Sequence, residues 1–438
     1  MTTSKDSEDL TRVGSGTVMG EFMRQYWLPA AMSSELKPDG APVRLMLLGE
    51  KLIAFRDSSG RVGIMDHRCP HRCASLFLGR NEDSGIRCIY HGWKFDVDGN
   101  CLDMPSVPAH QEFKSKVKAK AYRVVERHGV VWVHMGKSTE APAFPGLEVL
   151  GLPEGEVAVL CALRECNWLQ GLEGDIDTSH FGFLHAGHIA AERLPPDHPF
   201  RGAVFHRAPD LKVTETPWGT SYGAYRPADG GGIYWRTANF LFPCWTQQPQ
   251  GDFATNVHAR AWVPLDDHHL MFWNFVWKRP MPDRSTATDG RKLTGIGLGF
   301  EYLPDTTDWL GRWRLVANER NDWNLDRAAQ SRNESYSGIA NIHMQDQAVT
   351  ESMGPITDQE FEHLAPTDIM IARTRRHILQ TARAFAAQSA TPPGLDDPEV
   401  YMKARSGFFV ADPGAEWQEA YAANLRSAVR PGARHAAE

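Results

Sequence analysis

The apolar positions of this chain change period along its length. Between about residues 40 and 135 they alternate with polar ones in short runs broken by turn residues, the pattern of half-buried strands. Residues 42–49 and 52–56 read as two strands around a Gly49-Glu50 turn, 62–66 as a third, and 124–126 with 130–134 as a later pair. Lys94-Phe95 leads into Asp96-Val97-Asp98-Gly99-Asn100, where Asp-Gly marks a hairpin turn. The pattern breaks over 137–153, which Ala-Pro-Ala-Phe-Pro-Gly and Gly-Leu-Pro-Glu-Gly punctuate as a domain boundary. A helical stretch follows around 164–185, then a β-rich region over about 201–280. Strands are expected there at 221–225, 233–236, 257–263 and 270–277, the last apolar and aromatic enough to be central.

From about 305 to 390 the period turns helical. Ile371, Ile378, Leu379, Ala382, Phe385 and Ala386 recur at helical spacing after Pro366, with Thr367 or Asp368 as N-cap. That stripe reads as core. The tail, 427–438, is expected to fray. No internal repeat occurs. The expected class is α+β: an antiparallel β domain over 1–150, then an α+β domain over 151–438 with a long antiparallel sheet flanked by helices. Residues 1–40 are expected to pack on the second domain.

Bulk properties narrow the function. A net charge of −7 argues against a nucleic-acid footprint, and no apolar run approaches the ~18 residues of a membrane span. The first six residues lack an apolar signal core, so a cytoplasmic protein is expected. Seven cysteines at irregular spacing exclude a disulfide framework.

Two of those cysteines carry chemistry. Cys69-Pro70-His71 and Cys88-Ile89-Tyr90-His91 form a C-x-H and C-x2-H pair separated by 16 residues. A [2Fe–2S] centre of the Rieske kind needs two thiolates on one iron and two imidazoles on the other, and each half-site can give one of each. Zinc accepts the same donors, but its finger-type His pairs sit three to five residues apart on a helix, whereas these are split between loops. Cys73, beside the first loop, could serve as a third ligand or simply pack beside the cluster. The remaining four cysteines read as small buried hydrophobes.

A second motif lies at Asp177-Thr178-Ser179-His180-Phe181-Gly182-Phe183-Leu184-His185. Two imidazoles and a carboxylate make the facial triad of non-haem Fe(II) oxygenases. Positions five apart on a regular helix diverge by roughly 140°, so one iron can be shared only if the helix is distorted, and Gly182 is a plausible place for that. On a regular helix Glu173, Asp177 and His180 would share a face. Spacing alone does not find the third ligand.

Through these motifs, residues 40–135 resemble the Rieske domain of ring-hydroxylating oxygenases. D-x2-H-x4-H matches that family's mononuclear-iron signature at Asp177, His180 and His185. The likeness to its phthalate-dioxygenase group runs from Gln25-Tyr26-Trp27-Leu28-Pro29 to Met353-Gly354-Pro355. The resemblance implies one Rieske cluster on Cys69, His71, Cys88 and His91, and one mononuclear Fe(II) per subunit. Asp346 closes the triad, with Glu351 as second choice and otherwise a brace for the Met353-Gly354-Pro355 turn. It also implies that Asp177 bridges His180 to a cluster His, His91, of a neighbouring chain in a homotrimer or stacked trimers. Electrons would come from a separate NADH-dependent reductase with flavin and a plant-type ferredoxin centre, since no G-x-G-x-x-G and no ferredoxin cysteine run occurs here. The implied reaction is dihydroxylation of a phthalate-like aromatic carboxylate; the alternative is O-demethylation of a methoxylated aromatic acid. Arg207 and Arg236 are the candidate carboxylate clamps, and Asn341 and His343 could also reach the pocket.

Overall fold

The computed structural model describes residues 3–138, 140–196, 198, 200–228, 231–279 and 285–430. Alternation in the first region becomes a six-stranded antiparallel sheet. Its order is Trp27–Met32, Val130–His134, Ala121–Arg127, Val62–Asp66, Glu50–Arg56 and Val43–Leu47. Two of its hairpins turn on residue pairs with positive φ: Leu48 and Gly49 (48° and 74°), and His128 and Gly129 (55° and 70°). Such turns match the twist of the strands they join. A smaller sheet, Arg80–Glu82, Gly85–Arg87, Lys94–Phe95 and Cys101–Asp103, stands beside it. Cys69, Cys88 and Cys101 belong to the apolar cluster around Phe95 and Trp93.

The second region is built on an eight-stranded sheet. Val157–Arg164 pairs with Leu270–Trp277, followed by His258–Pro264, Trp245–Gln247, Ile233–Leu241, Gly219–Pro227 and Asp210–Thr216, while Gly407–Ala411 pairs with Ile233–Leu241. The aromatic strand Leu270–Trp277 is interior, with neighbours on both sides.

The helical expectations are corrected in two places. Residues 161–164 are the end of a strand, and the helix runs only over Trp168–Ile176, capped by Asn167. Before Ile342 the expected helix gives way to loops, short turns and one five-residue helix, Arg327–Ser331. There Asn318 Nδ2 donates to the carbonyls of Leu315 and Val316, and Asp322, Trp323 and Asn324 have positive φ. Local amide-to-backbone bonds compete with the helical ladder. The long helices are Ile342–Ser352, Ile369–Ala386 and, beyond this region, Trp417–Ser427.

The N-terminal segment divides its contacts. Asp9 pairs with Arg383, and the Trp168 indole donates to the Leu10 carbonyl, whereas Trp27–Met32 is a strand of the first sheet. One apolar core runs through both regions, from Leu45 and Trp132 to Trp168 and Trp273. Among residues 427–430, Val429 N–H donates to Ala254 O; the rest of the tail expected to fray lies outside the described residues. No helix among the described residues is long and apolar enough to cross a membrane.

Two candidate metal centres

The two cysteine–histidine loops fold alike. Cys69 N–H donates to Ala74 O and Cys73 N–H to Cys69 O, both at 2.8 Å; Cys88 N–H donates to Trp93 O at 2.8 Å and Gly92 N–H to Cys88 O at 3.0 Å. In both loops the fifth residue takes positive φ, 59° at Cys73 and 78° at Gly92. Cys73 is thus the structural counterpart of a glycine. It is exposed rather than packed beside the cysteine pair, which corrects that expectation. Cys69 and Cys88 are buried, and burial, reinforced by the neighbouring Cys88 thiol, pushes Cys69 up to about 12. His71 and His91 meet edge-on with ring centroids 4.3 Å apart, and His71 stacks on Trp93 at the same distance. Nδ1 of each imidazole is buried with no hydrogen-bond partner among the described residues. Two buried thiols and two orphaned nitrogens fit a [2Fe–2S] cluster with mixed ligands.

The second centre forms where three elements meet. The Trp168–Ile176 helix stops before Asp177, so the face proposed for Glu173, Asp177 and His180 does not exist. Glu173 is instead spent on a buried pair with Arg375. Asp177 caps the helix end and accepts from Ser179 N–H, while its Oδ2 lies 3.1 Å from His180 Nδ1. Phe181–His185 then makes a π turn. Its i→i+5 bond, Ala186 N–H to Phe181 O, supplies the distortion that the H-x4-H spacing requires. The Ile342–Ser352 helix crosses close by: a Cβ on Gly174 would stand 3.1 Å from Thr350 Cγ2, and Gln170 Nε2 donates to the carbonyls of Thr350 and Gly354.

That crossing brings in Asp346. His185 Nε2 lies 3.1 Å from Asp346 Oδ1, His180 Nε2 lies 3.6 Å from it, and the two Nε2 atoms are 3.1 Å apart. Burial resists ionisation of Asp346, but the two imidazoles and Arg164 outweigh it and hold the carboxyl well below the usual range. His180 is pushed up to about 9 by Asp177 and Asp346 against the opposing effect of burial. Three donor atoms within 4.8 Å of one another, two imidazoles and a carboxylate, fit a metal ion. Glu351 accepts from Glu165 N–H and the Trp323 indole, so it braces the fold away from the triad.

The region 26–119 matches the description "Rieske [2Fe-2S] domain", and 133–435 matches "LigXa C-terminal domain like". The chain belongs to the Rieske ring-hydroxylating oxygenases. It is 51% identical to the 3-chlorobenzoate-3,4-dioxygenase oxygenase subunit of Comamonas testosteroni, over 98% of this chain and all of that one. It is 37% identical to the phthalate 4,5-dioxygenase oxygenase subunit of Pseudomonas putida, over 88% of each. The terminal oxygenase of carbazole 1,9a-dioxygenase from Nocardioides aromaticivorans IC177 shares the fold with a TM-score of 0.53 and 18% identity, covering 84% of this chain and 97% of that chain. The oxygenase subunits of this family carry a mononuclear iron site beside the Rieske cluster and need separate electron-transfer partners.

In this oxygenase a cavity of about 460 Å³ opens onto His180, His185 and Asp346. Phe181, Phe200, Ile296 and Leu298 give it apolar walls. Arg236 also lines it; its guanidinium sits 4.7 Å from the Phe181 ring centroid, with Nε and Nη1 buried and unpartnered among the described residues. Arg260 shares the lining, but its charge is taken by Asp175 at 2.5 Å. Arg207 is a correction: it does not line the cavity. Its guanidinium donates to the carbonyls of Gly187 and Ile189, and its side chain fills the space a Cβ on Gly182 would need. Asn341 and His343 are also outside. Asn341 caps its helix, and His343, which burial lowers to about 3, packs on Phe300.

Two residues escaped the sequence reading. Gln345 sits behind His185 with Oε1 2.5 Å from Nδ1. Its adjacency to Asp346 was the available signal. Trp93 stacks on His71, and the run His91-Gly92-Trp93 placed it one turn from the cluster loop.

Proposed function

We propose that this subunit is the terminal oxygenase of a system that dihydroxylates an aromatic carboxylate of the benzoate or phthalate kind. The observation that carries this reading is Arg236: a buried guanidinium that lines the same apolar cavity as the triad, its Nε and Nη1 without a hydrogen-bond partner and no carboxylate paired with it among the described residues. A buried cation without a counter-ion is costly, and a substrate carboxylate would supply bidentate partners. Both relatives described above are named for aromatic acids, which supports the same class.

Each residue then has a role. Cys69, His71, Cys88 and His91 would hold the cluster, and His180, His185 and Asp346 would hold the iron. The cluster supplies electrons singly, and iron on this ligand set leaves positions open for O2. Arg236 fixes the acid end, while Phe181, Phe200 and Ile296 hold the ring and keep water out. Asp177 orients the His180 ring through Nδ1 and faces outward enough to reach a second chain, with about a fifth of its side chain exposed. Ile89 and Tyr90 at the cluster loop are 60% and 54% exposed, and Met353 and Phe361, beyond the triad helix, are 46% and 80% exposed. These surfaces support trimer assembly in which the cluster of one chain meets Asp177 of the next. An NADH-dependent reductase would be the electron source.

The balanced reaction takes arene, O2, NADH and one proton to a cis-diol and NAD+. The test is product analysis under NADH with a phthalate-group reductase, using 3-chlorobenzoate, phthalate isomers and methoxybenzoates. A cis-dihydrodiol without formaldehyde is expected. Formaldehyde with a new phenol would make the enzyme an O-demethylase and overturn ring dihydroxylation.

A further inference from the structure

Gln345 is fully buried, next in sequence to Asp346 and behind His185. Its Nε2 donates to Gly295 O at 3.0 Å and to Ile339 O at 2.7 Å. Carbonyls only accept, so both amide protons are committed and the amide is fixed in one orientation. The oxygen left facing His185 also only accepts. Nδ1 must therefore carry the proton, and Nε2 keeps its lone pair for the metal.

The other end of this contact is the cavity wall. Gly295 has φ +78°, and a Cβ there would stand 3.1 Å from Gln345 Nε2, so the loop backs directly onto the amide. Ile296 and Leu298, which follow, line the cavity. Ile342 N–H donates to Gly297 O at 2.9 Å, docking the same loop on the helix that carries Asp346. His180 is held differently, by Asp177 of its own turn, which itself lines the cavity.

We infer that Gln345 is a positioning residue that ties the wall of the substrate cavity to His185, so that an aromatic acid seated against 296–298 reorients one ligand of the triad. The inference rests on the assignment of His180, His185 and Asp346 as metal ligands. Contact with the 296–298 loop then reaches the triad through His185.

The test uses the full chain with its Rieske cluster intact and Co(II) at the triad, followed by the visible bands of Co(II). Adding 3-chlorobenzoate should shift these bands in the unaltered protein. Gln345→Met, similar in length but without polar atoms, should weaken Co(II) binding about 10- to 100-fold. It should also lose the 3-chlorobenzoate shift at saturating metal, with the cluster absorption unchanged. Gln345→Glu keeps an acceptor for His185 but sets an anion against two carbonyls. It should hold Co(II) within a few-fold of the unaltered affinity yet also lose the shift. A full shift in either variant, or unaltered Co(II) affinity in Gln345→Met, would overturn the link. So would bands in the unaltered protein that ignore 3-chlorobenzoate. Should Gln345→Met not fold, Gln345→Glu decides the matter alone. Failure of the unaltered chain to take up Co(II) would instead remove the ligand assignment, and the inference with it.

Discussion

The cluster loops and the triad each bring two histidines together, but they leave opposite ring nitrogens available. In the loops, Nδ1 of His71 and His91 is buried and without a partner among the described residues. At the triad, Nδ1 of His180 and His185 is taken by Asp177 and Gln345, and the Nε2 atoms converge. Which nitrogen a histidine offers is decided by what holds the other one. A six-residue loop closed by its own backbone bonds can aim an imidazole. A ligand set gathered from a π turn and a distant helix needs further side chains to aim each ring, Asp177 for His180 and Gln345 for His185, and those partners become part of the site.

The harshest way to break the comparison is to remove one ligand from each centre. Cys88→Ser should abolish the visible absorption and labile sulfide, and with them turnover. Asp346→Ala should abolish oxygenation and the triad iron while leaving the cluster absorption untouched. Iron counts and visible spectra of both variants check this. Loss of the cluster spectrum in Asp346→Ala would show that the centres are not separately built.

A smaller effect is expected from Arg236 and Arg207, which separate a substrate contact from a structural one. Hydrogen bonds to charged groups contribute about 1.5–3 kcal/mol, so Arg236→Met should raise KM for an aromatic acid by roughly 10- to 100-fold. Arg207→Met should lower Tm, because the carbonyls of Gly187 and Ile189 lose their donor, and should leave KM within about twofold. Steady-state kinetics with thermal melts distinguish the two. Equal KM values for the two variants would discard Arg236 as the clamp.

The same contrast explains what could be read from the chain. The cluster loops were legible because all four donors fall within 23 consecutive positions, 69 to 91, and the strands around them alternate plainly. The H-x4-H motif announced its own irregularity, and the π turn over Phe181–His185 is that irregularity. Asp346 lies 161 positions beyond His185, where spacing says nothing; only the likeness to a known family reached it. Arg207 could not be told from Arg236 because both occur near aromatic residues, and their roles depend on which carbonyls lie in reach. The helix expected from 305 failed because asparagine amides bond locally, an effect that an apolar stripe does not register. Gln345 was invisible as chemistry, since a glutamine acquires a role only once its two protons and its oxygen have named partners.

The gentlest test concerns the two cluster loops themselves. They share a hydrogen-bond pattern, yet one has cysteine and the other glycine at the positive-φ position. At Gly92 a Cβ would stand 2.6 Å from Pro105 Cγ, so Gly92→Ala adds a clash to left-handed backbone strain of about 1–2 kcal/mol. Cys73 already bears that strain at φ 59°, and its exposed side chain meets no such obstacle. Cys73→Gly should relieve the strain but give back about 0.5–1 kcal/mol through the greater freedom of the unfolded chain. Thermal bleaching of the cluster should therefore come at clearly lower temperature in Gly92→Ala and stay within a few degrees of the unaltered protein in Cys73→Gly. Bleaching temperatures that fall equally in both would mean that the Cys73 thiol supports the cluster after all, and the equivalence of the two loops would end at their backbone.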